Sequence, residues 1–202
     1  MKSHKYESAS HWDDLLKAEL AKESDRAAVI LVASIFDTAL NTYLRQALVP
    51  ISTSNDELFD TPNAPLANFS SKIALAHRIG LLSQQFCRDL HLIRKIRNEF
   101  AHNVQGCSFE GSVVRARVLE LSKSSCLADR HPKVRSNYPD GCRGDFLFVS
   151  AWMLFALNLK IEKVVALKES AKEWGYNQEL GEHLLVPKRK RKRKETIKSE
   201  EA

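Results

Sequence analysis

The sequence predicts an all-α protein, a bundle of about five to six helices followed by a disordered basic tail, on three observations. Apolar residues recur at helical spacing in one segment after another. Those segments are bounded by N-capping residues on one side and by Gly or Pro on the other. No segment alternates apolar and polar residues between hairpin turns as a strand would.

Taken in order, the first helix is predicted from Ser10, whose S-x-x-D spacing to Asp13 resembles a capping arrangement, through the amphipathic WDDLLKAELAKE. After Ser24 and Asp25, RAAVILVASIFDTALNTYLRQAL runs from Arg26 to Leu48 without Gly or Pro and is apolar nearly all round in its first half. That pattern marks a central, buried helix. Pro50 stops it, and ISTSNDELFDTPNAPLANF reads as a long connection rich in turn formers. Ser70 or Ser71 is expected to cap SKIALAHRI, which closes at Gly80, and Ser83 to cap the helix through QQFCRDLHLIRKIRNEFAHN. A short helix is expected from Val113 to Leu121, then some twenty residues of loop from Lys123 to Gly144. One long helix is expected from Asp145 to Trp174, ended by Gly175.

Residues 1–186 therefore make one all-helical domain and residues 187–202 a tail. The first ten residues contain no apolar stretch and the longest apolar run, FLFVSAWMLFALNL, is interrupted at Lys160, so neither a leader nor a membrane span is expected. Four separated cysteines without a C-x-x-C pair fit reduced thiols in a cytoplasm. The formal net charge is +6. From Lys188 onward eight basic and three acidic residues sum to +5, which leaves the body near neutral and locates any attraction to a polyanion in the tail or in local patches.

The residues that invite a functional reading lie in IRKIRNEFAHN, residues 93–103. On a regular helix, at about 100° per residue, Phe86, Leu90, Ile93, Ile96, Phe100 and Val104 form one apolar stripe, with Arg97 in its middle. His91, Arg94, Lys95, Asn98 and His102 gather on the opposite side, and Asn98 and His102 are an i,i+4 pair. A guanidinium on an apolar face calls for a carboxylate, a phosphate or an interface, because burying it unpaired is strongly disfavoured. Arg97 and His102 stand about 140° apart on an ideal helix, so convergence requires a loosened helix, a snorkelling arginine or a second copy of the chain. A purely structural explanation, cations favoured at the negative end of the helix dipole, also accounts for them.

Arg97 to His102, R-N-E-F-A-H, resembles the R-x-x-x-x-H motif of HEPN domains, and the block from Asn63 to Asn103 is similar to the mannitol operon repressor family. The HEPN resemblance implies a helical bundle acting on RNA as a homodimer, by metal-independent cleavage in which a ribose 2′-OH attacks the neighbouring phosphate. Arg97 would then stabilise charge on phosphorus, His102 would move a proton, and Asn98 would orient one or the other. The mannitol repressor resemblance implies instead a non-catalytic negative regulator of transcription acting through a protein partner or DNA; no helix-turn-helix with a basic recognition helix is present. Neither resemblance implies a cofactor.

Nucleic-acid contact is expected from Arg94 and Lys95 and from the run Lys188, Arg189, Lys190, Arg191, Lys192, Arg193 and Lys194, which would bind a phosphate backbone without sequence preference. A solubilising tail with no partner is the plainer reading of that run. Arg130, His131, Lys133, Arg135 and Arg143 around Tyr138 offer cations with an aromatic ring for stacking. Cys107, Cys126, Cys142, His102 and His131 match no familiar zinc spacing, so no metal site is expected. Without a phosphate-cradling G-x-x-x-x-G-K, a G-x-G-x-x-G or a G-x-S-x-G, nucleotide hydrolysis and serine-hydrolase chemistry have no support.

Overall fold

The structure, a computed structural model, describes residues 20, 22–103 and 106–169, and among them it contains seven helices and no strand. The helix expected from Ser10, the domain boundary at 186/187 and the basic tail lie outside the described residues.

Ser24 opens α1 (Asp25–Ala47): its backbone is extended and its hydroxyl accepts the Ala27 N–H at 3.2 Å. Asp25 adds a negative charge in the first turn, where the helix dipole favours it. The connection that follows is pinned rather than loose. Arg45 reaches Asp56 and Asp60 and lies 4.3 Å over the Phe59 ring, while the Leu66 N–H donates to the Leu58 carbonyl at 2.9 Å.

The next helix starts slightly before either expected cap. Asn68, not Ser70 or Ser71, caps α2 (Phe69–Arg78), accepting the Ser71 N–H and the Ser70 hydroxyl on its Oδ1. An amide oxygen at this position satisfies the orphan N–H as well as a serine would, and the earlier start lets Phe69 join the core. Gly80 turns the chain at φ +77°, and the Leu81 N–H reaches back to the Ala76 carbonyl at 2.9 Å. Ser83 then caps α3 (Gln84–His102), accepting the Phe86 N–H at 3.2 Å.

Past Gly106 the chain forms α4 (Ser112–Ser125), four residues longer at its C-terminal end than expected. The stretch expected as loop instead contains two one-turn helices, α5 (Leu127–Arg130) and α6 (Pro132–Arg135), the second begun by a proline whose missing N–H costs nothing there. Cys126 takes the left-handed conformation, φ +51°, between α4 and α5. Arg135 organises the rest: it pairs with Asp145 at 2.7 Å and donates to the carbonyls of Pro139 and Gly141. Arg143 pairs with Asp25 and donates to the carbonyls of Leu20 and Glu23, and Tyr138 is buried. Two of the cations grouped with Tyr138 as an RNA-contacting edge thus hold the fold together, and the ring is not free for stacking.

The last described helix, α7 (Gly141–Lys163), begins four residues before Asp145 and ends eleven before Trp174. Past Lys163 the chain is extended at Val164, and the Leu167 N–H donates at 2.8 Å to the carbonyl of Ala47. That bond satisfies one of the terminal carbonyls of α1, and two consecutive β-branched residues, Val164 and Val165, favour the extended backbone that makes it.

The core sits where α1 packs on α2, α3 and α7, and where α4 packs on α3 and α7. Six consecutive α7 residues, Phe146 to Ala151, are all buried, so the helix is enclosed on every side over that stretch. Phe100 of α3, Phe109 and Phe146 of α7 stack in a row with ring centroids 5.4 Å apart at each step, fastening the end of α3 to the centre of the bundle. By length and composition alone α1 and α7 could each cross a membrane, yet 44% and 67% of their most apolar windows are buried inside this bundle.

Candidate functional site

α3 carries the site. Leu90, Ile93, Ile96 and Phe100 are fully buried, as the stripe predicts, Phe86 is partly buried beside them, and Val104 lies outside the described residues. The C-terminal end of the helix is held by Arg26 of α1, whose guanidinium donates to the carbonyls of Phe100 and Asn103. These are carbonyls that a helix end leaves without internal partners. The Asn103 side chain donates to Glu99, which in turn pairs with Arg117 at 2.8 Å.

Arg97 sits half-buried at the edge of the stripe and lines a concavity of about 490 Å³ between three helices. α1 contributes Ile30, Ala33, Ser34 and Asp37. The start of α2 contributes Ala67, Asn68 and Phe69, and α3 adds Ala101 beside Arg97. The carboxylate on this wall is already engaged: Asp37 Oδ1 pairs at 2.9 Å with Lys72, itself only 6% exposed. Among the described residues no side chain or carbonyl bonds Arg97. The sequence does not reveal Asp37 and Lys72 as a pair, although a lone acid within an apolar helix and a lysine on a buried stripe are the signals that could have suggested it.

Asn98 and His102 do not line that concavity. His102 is exposed in the last turn of α3 and Asn98 is half-buried one turn before it. Within one chain, then, the motif arginine lines the α1–α2 side of the helix, while Asn98 and His102 lie away from that lining and His102, like Lys95, is exposed. Arg94 and His91 stand on this outward flank, half-buried, with Arg94 Nε and His91 Nδ1 enclosed and lacking a partner among the described residues. Burial, reinforced by the charges of Arg94 and Lys95, holds the His91 imidazole below its ordinary pKa. Lys95 is exposed. Residues 188–194, expected from the sequence to contact nucleic acid, lie outside the described residues. Among the described residues no His, Cys, Asp and Glu cluster is arranged to hold a metal.

On the opposite flank Asp89 is buried against α4. Ser124 donates to its Oδ2 at 2.9 Å, and its Oδ1 has no partner among the described residues. Burial raises its pKa, the serine bond opposing the shift. A carboxyl raised in the folded state binds its proton more readily there than in the unfolded chain. It favours folding at pH below the unfolded value and loses that contribution as pH rises through the folded one. Asp89→Asn removes the titration. The melting temperature of the natural chain should therefore climb relative to the variant as pH falls from 7 toward 4; parallel profiles for the two proteins would contradict the assignment.

No family model matches the sequence, and no curated protein matches it either. A solved structure does match the fold. The chain superposes on the X-ray structure of the MtlR–HPr complex from Escherichia coli with a TM-score of 0.51 and 17% identity, over 75% of this chain and 98% of the matched one. At that identity the correspondence establishes a shared all-helical architecture.

Proposed function

We propose that this chain is a non-catalytic regulator of the mannitol operon repressor type, working by docking another soluble protein. The observation that carries the reading is the fold correspondence over nearly the whole of a chain crystallised in complex with HPr. The geometry of α3 agrees with it. General acid–base cleavage of RNA needs a proton-moving group and a charge-stabilising group around one phosphate, whereas here Arg97 lines a concavity that excludes Asn98 and His102. A regulator needs no such convergence.

The competing reading keeps Arg97, Asn98 and His102 as catalytic residues of a metal-independent ribonuclease and requires a homodimer to face two motifs across an interface. The spacing of the motif favours it. In that reading Arg94, Lys95 and the tail would guide RNA electrostatically, with steep salt dependence.

One experiment separates the two. Purified full-length protein is incubated with mixed RNAs in chelator, beside His102→Ala and Arg97→Ala. The regulator reading expects intact RNA in all three. Cleavage leaving 2′,3′-cyclic phosphate ends, lost in both variants by roughly 10²-fold or more, would overturn it.

A further inference from the structure

We infer that the concavity between α1, α2 and α3 is a binding site for a small organic carboxylate with a short apolar body, held by the Arg97 guanidinium. Its volume, about 490 Å³, is enough for a small molecule, and it opens to solvent along Ile30, Ser34, Ala67, Asn68 and Ala101. Its lining carries one acid and one base, Asp37 and Arg97, and Lys72 pairs with Asp37 from outside the lining. Asp37 and Lys72 cancel as an ion pair at 2.9 Å, and Arg97 remains without a counter-charge among the described residues. A half-buried guanidinium in that state favours an incoming anion, because a forked pair of charge-assisted hydrogen bonds replaces water it has partly lost.

The lining selects among anions. A net charge of one suits a monoanion; a phosphate monoester would bring a second negative charge close to the Asp37 carboxylate. Ile30, Ala33, Ala67, Phe69 and Ala101 supply apolar wall for the body of the ligand. Two polar groups can fix its orientation: the Ser34 hydroxyl, and the Asn68 amide nitrogen, since the Asn68 oxygen is already committed to Ser70 and Ser71. A polyanion fits less well. The cations that would track its backbone, Arg94 and Lys95, belong to α3 but are not part of this lining.

The inference is independent of protein docking, so HPr binding that survives Arg97→Gln leaves it intact. The test is a titration of the ¹⁵N-labelled full-length protein with hexanoate, with benzoate, with inorganic phosphate at matched ionic strength, and with a short single-stranded RNA. The Arg97 Nε–H resonance is the readout. The carboxylates should shift it saturably, and phosphate should not. Arg97→Gln removes the fork and Ala101→Trp fills the concavity from an exposed position without altering charge; each should weaken carboxylate binding roughly tenfold or more. Carboxylates that leave the resonance unmoved, binding that survives both variants, or saturable shifts with RNA alone would overturn the site.

Discussion

Phe100→Ala is expected to cost about 3–5 kcal/mol of stability, the largest effect of any single side-chain truncation near the site. Phe100 is fully buried, and its ring is the outer member of the row Phe100, Phe109, Phe146 that ties α3 to α7. Truncation leaves a cavity that neither rigid helix can close, and Phe109 loses the ring packed against it. The consequence reaches the functional residues, because the Phe100 carbonyl is one of two that anchor Arg26 at the end of α3. Denaturant unfolding measures the loss directly. A change below about 1 kcal/mol would mean that the ring row does not support this end of the helix.

Gly144→Ala is the second. A Cβ at this position would stand 1.7 Å from the Pro139 carbonyl oxygen and 2.9 Å from the Arg135 guanidinium. The first contact is with backbone, so relief requires moving the segment that Arg135 organises through Asp145, Pro139 and Gly141. Overpacking of this kind costs about 1–3 kcal/mol or more. The thermal midpoint should fall by several degrees while an alanine at exposed Ser136 leaves it unchanged. A Gly144→Ala protein as stable as the parent would show that the α6–α7 connection packs otherwise.

Much of the fold was legible because it is written in local chemistry. Ser83 caps the helix it is expected to cap, Gly80 takes the left-handed turn, and Leu90, Ile93, Ile96 and Phe100 of the α3 stripe are buried as its periodicity selects. The misplacements have local causes too. Asn68 competes with Ser70 and Ser71 as a cap, and nothing in a serine-rich stretch ranks one oxygen above another until Phe69 finds the core. The stop of α7 at Lys163 depends on a hydrogen bond to Ala47, more than one hundred residues distant in sequence, which no local pattern encodes. Between α4 and α7 the helices are single turns, too short to show a period, and Arg135 ties the second of them to the start of α7.

For the candidate site the sequence names residues and leaves their arrangement open. An arginine on an apolar stripe signalled a partner, and the helical angle between Arg97 and His102 signalled that the two would not meet within a straight helix. What lies opposite Arg97 depends on the packing of α1 and α2, and there Lys72 takes the carboxylate of Asp37 that would otherwise have been its natural partner. The availability of Arg97 is thus a property of three helices together.

The most direct test of the regulator reading is a calorimetric titration of the purified full-length chain with HPr. The account predicts saturable, equimolar binding with no accompanying RNA cleavage in the same preparation. Absence of any binding heat up to the highest soluble concentration, together with chelator-resistant cleavage that His102→Ala abolishes, would contradict it and return the motif to catalysis.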